Sequence, residues 1–293
     1  MRSGRLNYSL AGTLLVACVH GQYGPAIWLS SLAASEVNES SGLASSTRYP
    51  GIFWTHNDSG GGNALYAFDR KGRSVVRLTV SGRSNVDWED MAEGPDNQLW
   101  VGDFGNNALN RSNLAVYRLT EPTFNPEGAA QNLSATATRY PFSYPDGAHD
   151  AETMFLHPNT GEVFVVTKEN SGNSGVYRFP LPMVADLPVV LERVATVSFS
   201  SPLSLGKRTT GGDISADSTR LVIRTYLEAH EWGMLPGQSV ASALTGPRLS
   251  TTLLFSQGES IAYGWGGFDL YFTSEGVPCP LGMRALLRRK NWP

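Results

Sequence analysis

Five short segments of this chain share one pattern: acidic or hydroxyl residues stand directly before an apolar residue that opens a strand. They are Asn38–Ala44, Val86–Ala92, His149–Phe155, Thr210–Ser215 and Gln257–Ala262. Aligned on Leu43, Met91, Met154, Ile214 and Ile261, they place Ser41, Glu89, Glu152, Gly212 and Glu259 two positions upstream. The aligned residues recur at intervals of 48, 63, 60 and 47. Strand-built repeats of this length mean a propeller or a related array, because one such unit cannot bury its own apolar face.

Each repeat continues in the same way. In the first, Ser41–Ser45, Gly51–Thr55, Ala64–Phe68 and Ser74–Val80 read as strands, separated by His56-Asn57-Asp58-Ser59-Gly60 and by the turn Asp69-Arg70-Lys71-Gly72. Such alternation with Gly/Asn/Asp punctuation is the signature of hairpins. In the second repeat Ala135–Phe142 is the outer strand, and in the third Pro180–Pro188 is an insertion. In the fourth, Glu228–Gly246 is irregular. The fifth holds only three strands, and Ala26–Ser30 supplies the missing one. Pairing the first strand into the last blade closes the ring. The expectation is an all-β, five-bladed β-propeller over residues 26–293. The alternative is six blades, with one hidden in the 92–152 or 154–214 interval; neither interval carries a sixth acidic start.

The chain has 293 residues, 17% of them charged, with 31 glycines and 17 prolines and a net charge of −3. No basic run lies along a face, which argues against a nucleic-acid partner. At the N-terminus, Arg2 and Arg5 precede the apolar stretch Leu10–Val19, which is too short to span a bilayer. It contains Leu15-Val16-Ala17-Cys18, which resembles the lipobox of bacterial lipoproteins. The resemblance implies that residues 1–17 are removed, that Cys18 is lipidated, and that residues 18–25 form a tether. The alternative is an ordinary secretory signal. Either way the protein is expected to be exported to the bacterial envelope or beyond, touching membrane only through the lipid. Only Cys18 and Cys279 are present, so no disulfide is expected. A monomer is expected.

In a propeller, the starts of the innermost strands and the loops after the second strands share one face. That gathers Glu39, Ser41, Asp87, Glu89, Asp90, Asp150, Glu152, Asp213 and Glu259 with Asp58, Asp103, Lys168, Glu169, Arg224 and Glu275. Carboxylates crowded round one axis repel one another. A hard cation relieves this, and Ca²⁺ accepts six to eight oxygens at about 2.3–2.6 Å. The candidate ligands are Ser41, Glu89, Glu152, the Gly212 carbonyl, Asp213 and Glu259, with Mg²⁺ or Mn²⁺ as alternatives to Ca²⁺. The five histidines show no zinc-site spacing. Trp54, Trp88, Trp100 and Trp265 read as core between blades, and Asn57 and Asn106 as turn caps.

The order Ser, Glu, Glu, small residue, Glu at innermost-strand starts resembles the soluble calcium-activated nucleotidases, or apyrases. That resemblance implies a central calcium beneath a nucleotide site. The segments His-Asn-Asp-Ser-Gly, Asp-Trp-Glu-Asp and Gly-Asp-Phe-Gly-Asn-Asn are similar to those of a broad group of secreted bacterial propellers, from which no activity transfers. Two functions stand on this reading. One is a metal-dependent phosphoanhydride or phosphoester hydrolase, with Asp58 or Asp103 orienting water and Lys168 and Arg224 meeting substrate charge. The other is a non-enzymatic propeller that binds a small molecule, glycan or protein on its loop face and holds a structural metal.

Overall fold

The computed structural model describes residues 22–253, 255 and 257–287. The expected leader with Cys18, and the basic run Arg288-Arg289-Lys290, whose charge reads as an exposed outer strand, lie outside the described residues. Within them the chain forms five sheets, each built on an antiparallel four-stranded core, arranged as the blades of a β-propeller. The innermost strands are Ser40–Ser45, Trp88–Gly94, Ala151–Leu156, Thr209–Ile214 and Gly258–Tyr263, one per blade in chain order. The last blade is closed from the other end of the chain: Ile27–Ser31 pairs antiparallel with Pro280–Arg284, with Ile27 opposite Met283.

The sequence intervals that were long enough for a sixth blade are filled differently. Gln131–Thr136 leaves blade 2 and adds a parallel fifth strand to the outer edge of blade 1. Thr138–Ser143 then returns as the outer strand of blade 2. The expected single strand Ala135–Phe142 is therefore two strands belonging to two blades. The insertion Pro180–Pro188 is followed by Val189–Val190, which pairs parallel with Phe142 and Ser143 on blade 2. Both additions cover edges that would otherwise present open backbone groups. The segment expected to be irregular in blade 4 holds the regular strand Glu228–Gly233 and the short helix Val240–Ala243.

The core is divided among the blades. Side chains on a strand alternate between faces, and here both faces are buried. In blade 1, Ile52 and Trp54 face blade 2, while Phe53 faces blade 5. In blade 4, Leu221 and Ile223 face blade 3, while Val222 faces blade 5. Trp54, Trp88 and Trp100 are core residues as expected, but Trp265 is 58% exposed. It lies on the glycine-flanked turn Gly264–Gly267 rather than in a strand, so no neighbouring blade covers it.

Every innermost strand is bulged near its start. The register slips between Ser40 and Gly42, Trp88 and Met91, Ala151 and Thr153, Thr209 and Gly211, and Gly258 and Ile261. A bulge leaves a residue out of the ladder and re-aims its side chain. The residues so released are Ser41, Glu89, Glu152, Thr210 and Glu259. Blade 4 thus departs from the sequence alignment. Gly212 pairs with Ile223, the register held by Leu43, Met91, Met154 and Ile261 in the other blades. Thr210, and not Gly212, is the equivalent of the three glutamates.

Candidate functional site

The innermost strands begin at what we call the upper mouth of the central channel and end at its lower mouth. Between the two, Asp90 plugs the channel. Its Oδ1 accepts from Met91 N at 2.8 Å, and its Oδ2 accepts from Met154 N at 2.9 Å and Gly212 N at 3.2 Å. One fully buried carboxylate therefore ties blades 2, 3 and 4 together, and burial holds its pKa well above the usual range. Gly42 completes the seal on the opposite side. A Cβ there would come within 2.6 Å of Met91 N and 2.5 Å of His56 Nε2.

Above the plug, the bulge residues divide by chemistry. The two hydroxyls stitch blades together: Ser41 Oγ donates to Glu89 O at 2.7 Å, and Thr210 Oγ1 donates to Gly258 O at 2.9 Å. Glu152 forms a close ion pair with Lys168, and both side chains are about nine-tenths buried. The Lys168 ammonium also lies 5.2 Å from the Tyr226 ring centre. An ammonium thus occupies the region where the sequence placed a central metal. Glu152 Oε2 is buried without a hydrogen-bond partner.

Three carboxylates converge beside this pair. Among the described residues, Asp58, Asp87 and Glu89 are the one group of His, Cys, Asp or Glu that could hold an ion, with ligating oxygens all within 4.8 Å of one another. Glu89 comes from the blade 2 bulge, Asp87 from the residue before that strand, and Asp58 from the loop after Ile52–Asn57. Burial raises all three pKa values; Asp58 adds repulsion on the other two, with Asp87 pushed up to about 6 and Glu89 well above the usual range. The nearest opposing charge on Asp87 is Arg111, at 4.0 Å. The turn at Gly105 closes under the group, and a Cβ there would collide with Glu89 Oε1 and the Asp87 carboxylate.

Other expected site residues fall elsewhere. Asp103 lies beneath the cluster with its carboxylate engaged by Arg111 Nη2 at 2.7 Å, Tyr117 OH at 3.1 Å and Asp87 N at 3.2 Å. It anchors Asp87 and is only 1% exposed, so it does not face a substrate. Arg224 is fully buried against blade 5, donating to Ser260 O at 2.7 Å and Thr273 O at 3.1 Å. A Cβ on Gly258 would collide with its guanidinium. It supports the innermost strand that carries Glu259 and cannot meet substrate charge. Asp213 belongs to the lower mouth, where its oxygens accept from Ile214 N and Tyr263 N, each at 2.8 Å. Asn57 caps the chain at Asn38 and Glu39, and Asn106 caps Asn110 and Arg111.

Next to the carboxylate cluster is an open cleft of about 330 Å³, with Asp150 and Lys168 in its wall together with His149, Glu169 and Arg208. His149 is held between two acids, 3.1 Å from Asp146 and 3.4 Å from Glu169. Arg208 donates to Asn170 Oδ1 at 2.7 Å. Sequence reasoning gathered Asp87 at this face without naming it as a ligand, and did not single out His149 or Arg208. Asp87 sits in the recurring acidic segment; Arg208 lies just before the fourth, in a position that no spacing rule connects to blade 3.

No protein-family model matches the chain, and no curated protein sequence does. Solved structures share the architecture. The PQQ-bound aldose sugar dehydrogenase from Streptomyces coelicolor superposes with a TM-score of 0.50 at 11% identity, over 92% of this chain and 99% of that one. A gluconolactonase from Xanthomonas campestris gives a TM-score of 0.44 at 11% identity, over 91% of this chain and 99% of that one. At 11% identity the first likeness bears on the fold alone, and neither carries anything about the nucleotidase resemblance.

Proposed function

We propose that this propeller is a cation-dependent hydrolase of phosphoanhydrides or phosphoesters, working at the upper mouth. The observation that carries the reading is the convergence of Asp58, Asp87 and Glu89 within 4.8 Å, beside a cleft that also presents positive charge. Carboxylates this close and at least half-buried raise one another's pKa unless a cation joins them. The all-oxygen donor set suits Ca²⁺, Mg²⁺ or Mn²⁺ and not zinc. A bound cation would polarise a phosphoryl oxygen. In this reading Glu89 and Asp87 are its principal ligands, replacing the axial ring of Glu89, Glu152 and Glu259. Asp58, the ligand on the outer loop, would hold the attacking water and take its proton. Lys168, Arg208 and His149 would meet the anionic end of the substrate in the cleft. Ser41 and Gly212 are not needed as ligands.

The test combines binding with turnover. Purified protein is titrated with Ca²⁺, Mg²⁺ and Mn²⁺ and assayed against nucleoside di- and triphosphates, pyrophosphate and phosphomonoesters. Phosphate release that needs the cation, and that falls at least 100-fold in Glu89→Gln and Asp87→Asn, supports the proposal. Cation binding with no turnover on any substrate leaves the binding propeller with a structural metal. Failure to bind any of the three cations overturns the site itself. Export through a lipidated Cys18 is a separate proposal. Cys18→Ser should move the protein from the membrane to the soluble fraction without changing its melting temperature; a variant that stays with membranes would sink it.

A further inference from the structure

The lower mouth is a second cavity, of about 500 Å³, formed where all five innermost strands end: Ser45, Gly94, Leu156, Ile214 and Tyr263 line it. The Asp90 plug separates it from the upper mouth. Its wall carries Glu93, Asp96 and Asp213, and among the described lining residues there is no lysine, arginine or histidine. The exposed ring of Trp265 stands at its rim, on a turn whose next two residues, Gly266 and Gly267, have φ of 81° and 72°. Two polar atoms at this end lack partners. Ser45 Oγ is shielded and makes no hydrogen bond, and so is Trp100 Nε1, in a residue only 6% exposed. The indole nitrogen lies against Gly94 in the cavity wall, 2.6 Å from where a Cβ would stand.

This chemistry selects among ligands. Three acids with no opposing base disfavour any anion. A compact metal ion also fits poorly. Glu93 is spent on Thr47, with contacts of 2.6 Å to its N and 2.7 Å to its Oγ1, and Asp213 is spent on two backbone amides. These carboxylates do not converge as Asp58, Asp87 and Glu89 do. What remains is a diffuse negative potential beside an open indole face. A large, weakly hydrated cation suits that combination, because it needs no short coordination bonds and is attracted to the ring face. We propose that the lower mouth binds an organic ammonium ion, an amine or quaternary ammonium head group, seated on Trp265 and facing Asp213 and Glu93.

The experiment is isothermal calorimetry at pH 8.5 and constant chloride, with choline and tetramethylammonium as probes and sodium and methyl glucoside as controls. Saturable heat with the ammonium probes and none with sodium is expected. Trp265→Ala, an exposed change that leaves the core intact, should weaken binding about tenfold, the size of a partly desolvated cation–π contact. Glu93→Gln should weaken it also. Glu89→Gln at the upper mouth should leave it unchanged, which separates this site from the proposed hydrolase. Absence of saturable heat with both ammonium salts overturns the proposal. So does equal binding by Trp265→Ala, or displacement of choline by methyl glucoside, which would mark a sugar platform instead.

Discussion

The two mouths of the channel are built by the same five strands and both carry acids, more of them at the upper, yet they solve the charge problem in opposite ways. At the upper mouth the strands are bulged. Glu89, Glu152 and Glu259 stand at the bulges, out of their ladders. Their compensation must come from cations: Lys168 for Glu152, and an ion for the Asp58–Asp87–Glu89 group in our reading. At the lower mouth the strands are regular, and Asp213 reaches an amide of the next blade while Glu93 is held by Thr47. Acids there are satisfied as hydrogen-bond acceptors but not as charges. Strand geometry, together with the number of carboxylates, decides which mouth can hold a compact cation.

The comparison assumes a closed ring, and the largest effect comes from opening it. Deleting 26–31 removes the strand that covers Pro280–Arg284 and the path of chain leading to the buried Leu32 and Val37. Aggregation or loss of the cooperative melting transition is expected. A deletion variant as stable as the parent would show that the two mouths are not held by closure. The next effect belongs to the upper mouth alone. Lys168→Ala strands Glu152 as a buried, unpaired acid, and breaking such a pair costs about 3–5 kcal/mol. A chemical-denaturation series should show that loss, and added Ca²⁺ should recover more stability in the variant than in the parent, since a repelling charge has gone. A neutral Lys168→Ala variant would mean that the upper acids are solvated after all.

Much of this architecture is legible in the sequence. The repeated acidic starts, the turn residues and the missing fifth-blade strand are local signals, and they suffice for blade number and closure. What is hidden is register. Aligning blade 4 on Ile214 is natural because an apolar residue follows an acid there, but the bulge stands four residues earlier, at Thr210. Hydrophobic pattern cannot reveal a two-residue slip, because a strand repeats with period two. Partner choice is hidden as well. Lys168 and Arg224 stand at comparable strand ends, yet one faces the mouth and the other is sealed behind Gly258. Trp265 looks like Trp54 in composition, and only its glycine neighbours distinguish a rim residue from a core one.

Removing the cation gives the third effect. A ligand that binds only the native state stabilises it by RT ln(1 + [L]/Kd), about 2.7 kcal/mol at a hundredfold excess over Kd. Chelation should lower the melting temperature by that measure, and Ca²⁺ should restore it. Glu89→Gln should abolish the response. If the acids are merely solvated, the sign reverses: neutralising Glu89 relieves repulsion, stabilises the protein, and makes chelators irrelevant. Glu93→Gln, at the other mouth, should leave the chelator response intact.

The smallest effect sharpens the contrast from the lower side, through pH. Burial, opposed by the Thr47 hydrogen bonds and reinforced by Glu121 and Asp213, pushes Glu93 up to about 8, and burial pushes Asp213 up to about 7. In the unfolded chain these groups titrate near 4.5 and 3.8. Between those limits the native state binds more protons than the unfolded one. Stability from this mouth is therefore fully present below about pH 4 and falls as pH rises toward 8. Glu93→Gln keeps an acceptor for Thr47 and removes one ionisation. It should match the parent near pH 4 and exceed it at pH 9, by less than about 1 kcal/mol because water reaches the mouth. Choline should shrink the difference at pH 9, since an ammonium ion favours the ionised parent. Melting curves at the two pH values, with and without choline, give all four numbers. A variant less stable than the parent at pH 9 would mean that Glu93 is held ionised by a partner, and the contrast between the mouths would fail at its lower end.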